Sequence, residues 1–244
     1  MPTGRKFAVF DIDGTLIRWQ LYHALVDGLV RNGHINPDDF PTIKESRMNW
    51  KNRQDPEAFK KYEIELVNFY NANLASLSVS DFNSTVDEVF DEYKDQVYVF
   101  TKQLIEKLRQ KGYLLFAISG SQSQIVSKLV DYYHFDDFLA TVVVEANGHF
   151  TGELILPHLN KDKSLRELVK KHKAVFEGSY AVGDSLGDAK MMELVDNPIA
   201  FNPERALFDY SKMRAWKVVL ERKNMVYELE KKGSRYELAE TNAG

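Results

Sequence analysis

Short apolar runs alternate with amphipathic stretches along most of the chain, and this pattern predicts strands that alternate with helices. The first run, residues 6–10, is apolar and aromatic, as in a buried strand. The Asn147-Gly148 pair indicates a hairpin turn between two later strands. The alternation favours an α/β fold with a doubly wound, mostly parallel sheet. Further strands are predicted at residues 113–118, 141–144, 150–156, 179–182, 198–201 and 217–220, and helices at residues 100–111, 125–130, 164–171 and 188 to about 195.

The section between residues 16 and 97 contains no convincing strand. Apolar and aromatic residues recur there at helical spacing, first from Trp19 to Leu29 and again from Phe59 to Tyr70. We therefore predict a small helical module inserted after the first strand, and we interpret its aromatic stripes as packing residues. Residues 224–239 alternate apolar and polar positions about Lys232-Gly233, which predicts a terminal hairpin.

Two acids follow the first strand directly, in the sequence Asp11-Ile12-Asp13-Gly14-Thr15. Side chains two residues apart on an extended segment point the same way, so both carboxylates are expected to project together. Two buried anions held close repel each other unless a cation or a shared proton relieves them. Gly14 allows a sharp backbone turn just after them. The alternative interpretation is an acidic turn without a functional role.

Polar groups also follow later strands, with Ser119-Gly120 after the second and Asp184 after the strand at residues 179–182. Ligands of an open α/β sheet bind beyond the carboxyl ends of its strands, so we expect these groups to meet at one edge. A lysine of the following helix is expected to join them, although most lysines are solvated surface groups. Stepping back four residues from the apolar Leu165 reaches Lys161 on the same helix face, whereas Lys163 lies on the far side.

The composition narrows the classes of function. With 244 residues, 44% of them hydrophobic and 28% charged, the chain is typical of a globular protein with a core domain and room for a smaller one. A net charge of −4 gives no electrostatic footprint for nucleic acid. The apolar runs are too short for a membrane span or a signal peptide. The absence of cysteine excludes disulfides and cysteine metal sites and fits a cytoplasmic location. Nothing in the sequence indicates an oligomeric state.

The converging groups have the chemistry of a site for phosphate esters. Three acids suit a hard divalent ion with oxygen ligands, and Mg²⁺ pairs readily with substrate phosphate. A serine hydroxyl, backbone N–H donors next to glycine and a lysine suit the phosphate oxygens. The pattern therefore predicts a site in which a carboxylate attacks the phosphoryl group of a small molecule.

These motifs resemble those of the haloacid dehalogenase superfamily of phosphohydrolases, and within it the phosphoserine phosphatase branch, which carries a helical cap between the first two motifs. The resemblance covers roughly residues 5–17 and 98–220, through Asp-Ile-Asp-Gly-Thr-Leu, Ile-Ser-Gly-Ser, a helix-initial lysine and Gly-Asp-Ser-Leu-Gly-Asp. It implies a core domain of residues 1–17 and 98–244 and a helical cap domain of residues 18–97. The motif lysine of this branch precedes a leucine by four positions, which also selects Lys161.

The resemblance implies a role for each acid at the first strand. Asp11 is expected to be the nucleophile that forms an aspartyl-phosphate. Asp13 is expected to protonate the leaving alcohol and then to take a proton from the hydrolytic water. Thr15 is expected to fix Asp13 through its hydroxyl and to lie at the substrate. Asp11, the main-chain carbonyl of Asp13, and Asp184 are expected to bind Mg²⁺.

The other motif residues are expected to bind the phosphate group and to balance its charge. Lys161 would neutralise the phosphate, and the Ser119 hydroxyl with the Gly120 N–H would hold its oxygens. Asp188, four residues beyond Asp184, is expected to orient Lys161 or a metal-bound water. The alternative interpretation is that Asp188 has no role in the site and is simply an acid in the first turn of a helix, where the helix dipole favours it.

The cap is expected to decide the substrate. Phosphoserine phosphatases carry a glutamate nine residues after the nucleophile that holds the substrate amine, and this chain has Gln20 at that count. L-phosphoserine is therefore a candidate but not the favoured one, because the charge that a cation prefers is missing. Arg47 and Arg53 are candidates for the cap arginine of the family. The specificity surface is expected to include Trp19, Gln20, Tyr22, Arg47 and Trp50.

The leading hypothesis is thus a Mg²⁺-dependent phosphomonoesterase for a small phosphorylated metabolite. A phosphotransferase would use the same aspartyl-phosphate but pass the phosphoryl group to an alcohol. A non-catalytic phospho-acceptor or ligand-binding protein is the alternative from another class. Receiver-type signalling domains of that class are shorter and lack a helical insert, and a binder has no need of a general acid such as Asp13.

Overall fold

The computed structural model describes residues 4–36, 38, 41–53 and 55–243, and within these ranges the strands form one sheet of nine. Along the sheet the order is β4-β3-β2-β1-β5-β6-β7-β8-β9. The strands are β1 (Lys6–Phe10), β2 (Leu114–Gln122), β3 (Asp137–Ala146), β4 (His149–Ile155), β5 (Val175–Gly183), β6 (Asn197–Phe201), β7 (Lys217–Arg222), β8 (Met225–Lys232) and β9 (Arg235–Ala243).

The six central strands, from β3 through β2, β1, β5 and β6 to β7, pair in parallel. The strands β4, β8 and β9 are added antiparallel at the two sides. Parallel neighbours need crossover connections, and helices supply them here. The prediction of a mostly parallel α/β sheet is confirmed, as are the hairpin at Asn147-Gly148 and the terminal hairpin.

Helices cover the sheet and build the insertion. Four helices follow β1 and build the insertion: α1 (Leu21–Arg31), α2 (Pro41–Lys51), α3 (Ala58–Asn73) and α4 (Val79–Tyr93). The others are α5 (Val99–Gln110), α6 (Ser123–Tyr133), α7 (Lys161–His172), α8 (Ala189–Met192) and α9 (Arg205–Arg214).

The two chain segments that enter and leave the helical insertion pair with each other. Arg18 N donates to the Gln96 carbonyl at 2.8 Å, and Tyr98 N donates to the Leu16 carbonyl at 2.9 Å. The division at residues 18 and 97 into a cap domain and a core domain stays a prediction. In the described residues, no helix has the length and apolar character needed to cross a membrane.

Hydrophobic clusters lie on both faces of the sheet, as a doubly wound fold requires. On β1, Phe7 and Val9 belong to one cluster, and Ala8 and Phe10 belong to the other. This division follows from side chains that alternate between the faces of a strand. The cluster around Phe7 includes Leu165 of α7, Met191 of α8 and Leu207 of α9, and the cluster around Phe10 includes Leu25 of α1, Phe69 of α3, Phe82 of α4, Ile105 of α5 and Ile125 of α6.

Two helices differ from the sequence-based expectation. The helix expected from 188 to about 195 spans only Ala189–Met192 and follows a one-turn 3-10 helix, Leu186–Asp188. The helix α9 was not predicted from the sequence. Of its ten residues only Leu207 and Ser211 are buried, so it carries too short an apolar stripe for periodicity to reveal.

Candidate active site

Three strand ends bring the motif residues to one edge of the sheet. Asp11 directly follows β1, its N–H donates to the Val182 carbonyl at 2.9 Å, and its side chain is almost fully buried. Ser119 lies near the end of β2, the neighbour of β1 on one side. Asp184 directly follows β5, the neighbour on the other side. The sheet order therefore places β1 and Asp11 at the centre of the site.

Lys161 is the first residue of α7 and points into this edge. Its Nζ donates to Asp11 Oδ1 at 2.7 Å, to Asp188 Oδ1 at 2.6 Å and to the Ile118 carbonyl at 3.0 Å. Burial favours the neutral amine, but the two carboxylates outweigh it and raise the pKa of Lys161 above its ordinary value, so the ammonium stays charged. Lys163 is exposed on the other face of the helix.

Asp188 is fully buried and holds two parts of the site together. Its Oδ1 accepts from Lys161, and its Oδ2 accepts from the backbone N–H groups of Asp184 at 3.1 Å and Ser185 at 3.0 Å and from the Ser185 hydroxyl. A side chain at Gly183 would overlap Asp188, so glycine allows this close approach. Asp188 thus fixes the loop that carries Asp184 and orients the lysine.

The carboxylate of Asp13 is held from two directions. Its Oδ1 accepts from the N–H of Leu21 at 2.6 Å, at the start of α1, and its Oδ2 accepts from the Ser119 hydroxyl at 2.9 Å. Burial raises the pKa of Asp13, and the hydrogen bonds from Leu21 and Ser119 oppose that shift in part. Asp13 therefore links the helical insertion to the end of β2.

The expectation that Thr15 fixes Asp13 is wrong. The Thr15 hydroxyl is fully buried and, within the described part of the chain, has no hydrogen-bond partner. Its backbone N–H and that of Leu16 donate to the Ile12 carbonyl in the turn after β1. Ser119 and Leu21 hold Asp13 instead.

Acidic oxygens are crowded in this site. One carboxylate oxygen each from Asp11, Asp184 and Asp188 lie within 4.8 Å of one another. Burial, reinforced by Asp188 and Asp13 and opposed by Lys161, raises the pKa of Asp11 to about 7. Burial, followed by Asp11 and Asp188, raises the pKa of Asp184 well above its ordinary value.

The donor set fits a divalent metal ion. In the part of the chain that the structure describes, the carboxylates of Asp11, Asp13, Asp184 and Asp188 gather near the ammonium of Lys161, and this crowding of negative charge is costly when buried. Oxygen ligands of this kind suit Mg²⁺. In the described residues the acid cluster contains Asp188 and not the Asp13 carboxylate, and the expected metal contact of Asp13 through its main-chain carbonyl stays a prediction.

Gly14 makes room for one of these acids. It has φ +77, in the left-handed region, and a Cβ added there would overlap the Asp184 carboxylate. Glycine at this position therefore serves both the turn after the first strand and the approach of Asp184 to Asp11.

The residues expected at the specificity surface lie in or beside the helical insertion. Gln20 is the half-buried residue that precedes α1, and its side chain does not cap the helix. The Trp19 and Trp50 rings are 6.4 Å apart, and Trp50 stacks on Tyr62 at 5.5 Å. Arg47 pairs with Asp27 at 3.3 Å. The Tyr22 ring lies 5.2 Å from Tyr70, and Arg53 is exposed.

Sequence reasoning missed three residues near the site. One is the half-buried Glu63 of α3, whose pKa is raised to about 7 by burial and then by the charges of Glu204 and Asp13. Thr141 and His158 contact the Gly120 peptide at the end of β2. Only the position of His158, three residues before the motif lysine, offered a signal in the sequence.

Known proteins were compared with the chain. A model of the haloacid dehalogenase-like hydrolase family matches residues 8–193. A phosphoserine phosphatase of Mycobacterium tuberculosis is 23% identical over 220 residues, which cover 86% of this chain and 69% of that protein. A histidinol-phosphatase of Neisseria meningitidis is 24% identical over 227 residues, which cover 88% of this chain and 98% of that protein.

Solved structures show the same fold. A Bordetella pertussis protein of unknown function matches with a TM-score of 0.71 at 20% identity, covering 88% of this chain and 98% of the other. A substrate-bound phosphoserine phosphatase matches with a TM-score of 0.59 at 18% identity, covering 84% and 90%. The chain belongs to the haloacid dehalogenase-like hydrolase family, in which it is similar to the phosphoserine phosphatase branch. It is therefore an enzyme, with the fold of a hydrolase of this family.

Proposed function

We propose that the protein is a Mg²⁺-dependent phosphatase that hydrolyses a small phosphorylated metabolite through an aspartyl-phosphate. The observation that carries the proposal is the arrangement of Asp11, with Lys161 at 2.7 Å from its Oδ1, Asp184 on the adjacent strand end, and Asp13 two residues on. A carboxylate, an ammonium and a second carboxyl group are the parts that such a displacement needs.

Asp11 is the proposed nucleophile. It attacks phosphorus, the ester oxygen leaves, and the phosphoryl group is held on the Asp11 carboxylate until water releases it as inorganic phosphate. Lys161 donates to Oδ1, and we assign the attack on phosphorus to Oδ2. Lys161 also offsets the charge that two anions bring together when the ester binds.

Asp13 is the proposed general acid and base. It gives a proton to the leaving oxygen and takes one from the attacking water. Burial raises its pKa, which favours the protonated form that the first step needs. Ser119 and the Gly120 N–H are proposed to hold phosphate oxygens at the end of β2.

Asp11, Asp184 and the main-chain carbonyl of Asp13 are proposed to hold Mg²⁺, with Asp188 behind them. When bound, the ion screens the negative charge of the site and of the phosphoryl group. The crowding of carboxylate oxygens within 4.8 Å supports a cation at this position.

The substrate is proposed to be a small phosphomonoester. The relatives carry the names of phosphatases for different esters, phosphoserine and histidinol phosphate, so their likeness to this chain does not select one ester. Gln20 in place of a carboxylate argues against L-phosphoserine as the preferred one.

A panel of phosphate esters tests the proposal. Wild type, Asp11→Asn and the exposed control Asp209→Asn are assayed with Mg²⁺ and with chelator, and L-phosphoserine is compared with uncharged esters by kcat/KM. We expect wild type and the control to release phosphate from at least one ester, and both chelator and Asp11→Asn to abolish this release.

The products separate the possible outcomes. Activity of Asp11→Asn equal to that of wild type contradicts the assignment of the nucleophile. Transfer of the phosphoryl group to an added alcohol, at the expense of inorganic phosphate, would make the protein a phosphotransferase. A strong preference for L-phosphoserine would contradict the argument from Gln20.

A further inference from the structure

The end of β2 departs from regular pairing at the point where it meets the site. Ile118 pairs with Leu139 of β3, and the next pair joins Gln122 to Thr141. Four steps on β2 thus face two steps on β3, so residues 119–121 leave the ladder of backbone hydrogen bonds. Buried backbone groups in such a bulge need other partners.

Thr141 supplies one of these partners from β3. Its hydroxyl donates to the Gly120 carbonyl at 2.7 Å, and its side chain is buried. A peptide unit is planar, with its C=O and N–H pointing in opposite directions. Holding the Gly120 carbonyl on the Thr141 side therefore directs the N–H of Ser121 the other way, towards Ser119, where it donates to Oγ at 3.0 Å.

His158 contacts both Thr141 and Gly120. Its Nδ1 lies 3.3 Å from the Thr141 hydroxyl, and its ring packs against Gly120, where an added Cβ would lie 3.6 Å from it. The Thr141 hydroxyl has one proton, and the Gly120 carbonyl takes it. The hydroxyl oxygen can therefore only accept from His158, which places the proton of the imidazole on Nδ1.

The segment that carries His158 is itself fixed. It lies in the 3-10 turn Pro157–Asn160, just before Lys161, and the Ser164 hydroxyl donates to the Pro157 carbonyl at 2.9 Å. His158 and Lys161 thus reach the end of β2 from one rigid element. Lys161 holds the Ile118 carbonyl, two residues before the carbonyl that Thr141 holds.

The contacts form one directed chain that ends on Asp13. His158 Nδ1 donates to Thr141, and Thr141 donates to the Gly120 carbonyl. On the other side of the same peptide, Ser121 N donates to Ser119 Oγ. Because Ser119 Oγ accepts there, its own proton is free to point at Asp13 Oδ2, 2.9 Å away. Hydrogen bonds in such a chain polarise and align one another.

We infer that Thr141 and His158 are positioning residues that fix Ser119 and the general acid Asp13 through the Gly120–Ser121 peptide. They act through other groups and need not touch the substrate. The inference rests on the proposed function, because it assigns these residues to the proton-transfer step of that reaction.

The inference predicts an effect that depends on the leaving group. An alkyl phosphate releases a basic alkoxide and needs the general acid, whereas p-nitrophenyl phosphate releases a stable phenolate and hardly needs it. Loss of the chain should therefore lower kcat/KM, which reports the formation of the aspartyl-phosphate, much more on the alkyl ester than on the aryl ester. A residue that only supports the fold would slow both alike.

Thr141→Val and His158→Leu remove the chain, and Thr141→Ser and His158→Asn keep its donors. The control is Thr151→Val, which removes a hydroxyl bonded to the Val144 carbonyl at 3.1 Å in the hairpin of β3 and β4. Each variant is assayed on p-nitrophenyl phosphate and on the alkyl phosphate that wild type hydrolyses best. Thermal unfolding of each confirms that it is folded under the assay conditions.

We expect Thr141→Val and His158→Leu to lower kcat/KM on the alkyl ester, which reports the formation of the aspartyl-phosphate, about tenfold, with less than about a threefold change in kcat/KM on the aryl ester. Thr141→Ser, His158→Asn and Thr151→Val should stay within about threefold of wild type on both. Equal losses on the two esters, or no loss in Thr141→Val, would overturn the inference. A wild type that hydrolyses neither ester would instead contradict the proposed function.

Discussion

Lys161 and Asp188 form a buried ion pair, with Nζ 2.6 Å from Oδ1, and neither side chain is more than 6% exposed. The pair ties α7 to the loop after β5, because the second oxygen of Asp188 accepts from that loop. Removing one partner of a buried pair leaves the other charge uncompensated, which costs about 3–5 kcal/mol.

Lys161→Met should therefore lower the free energy of unfolding by about 3 kcal/mol or more at neutral pH. Lys163→Met is the matched control, since Lys163 is exposed on the same helix and its loss should change the free energy of unfolding by less than about 0.5 kcal/mol. Denaturant unfolding at pH 7 measures both. Equal values for the two variants would show that the buried pair does not stabilise the fold.

Gly14 and Gly148 have nearly the same backbone conformation, with φ +77 and +78, but different surroundings. Alanine at either position carries the cost of the left-handed region, about 1–2 kcal/mol. Only at Gly14 would the new Cβ overlap Asp184, whereas Gly148 has no atom within 4 Å of that point. Gly14→Ala should therefore lose phosphatase activity, and its Tm should no longer rise when Mg²⁺ is added. Gly148→Ala should keep both the activity and the rise in Tm. Retention of both by Gly14→Ala would contradict the close approach of Asp184.

Thr15→Val should leave activity unchanged and leave stability equal or higher by up to about 1 kcal/mol, because the buried hydroxyl has no partner in the described residues. Thr85 provides the contrast. It is also fully buried, but its hydroxyl donates to the Asp81 carbonyl and accepts from Asn32. Thr85→Val should cost about 1–3 kcal/mol. A large loss of activity in Thr15→Val, measured on the best ester, would restore a role for its hydroxyl at Asp13.

His23 should make the protein sensitive to acid. It is 3% exposed among the rings of Trp19, Phe59 and Tyr62, and burial, assisted by Arg47, lowers its pKa to about 4. The unfolded chain takes up this proton near pH 6.5 and the folded chain only near pH 4, so the unfolded state binds more protons between these values. Neutral His23 therefore contributes to the free energy of unfolding above pH 6.5. This contribution, up to about 3 kcal/mol, is lost as the pH falls from 6.5 to 4.

The measurement for His23 is a difference between variants, because buried acids also titrate in this range. His23→Gln should show a smaller loss of unfolding free energy than wild type between pH 6.5 and 4. His149→Gln, at an exposed position, should follow wild type. Identical pH dependence in wild type and His23→Gln would contradict the lowered pKa.

The sequence predicted the parts of the site that depend on local order along the chain. The acids after β1, Ser119 after β2 and Asp184 after β5 follow strands, and the sheet order brings strand ends together without further information. The helical face that carries Leu165 also distinguishes Lys161 from Lys163. These inferences need only the period of a strand or a helix.

The parts that the sequence did not predict depend on contacts between distant segments. Thr141 meets Gly120 because of a shift in the pairing of β2 with β3, and no local pattern encodes that shift. Asp13 is held by Ser119 and Leu21 and not by Thr15, which depends on where β2 and α1 lie and not on the motif alone. The charge of Asp13 reaches Glu63 of α3 only because tertiary packing brings these distant parts of the chain together.

The central claim is that Asp11 accepts the phosphoryl group, and trapping that group tests it most directly. Wild type is mixed with its best ester and Mg²⁺, quenched during turnover, reduced with borohydride to convert an acyl phosphate to an alcohol, digested and analysed by mass spectrometry. The account predicts homoserine at position 11 in the ester-treated sample and aspartate there without ester. Reduction at another acid, or an unmodified Asp11 in a sample that is turning over, would contradict it.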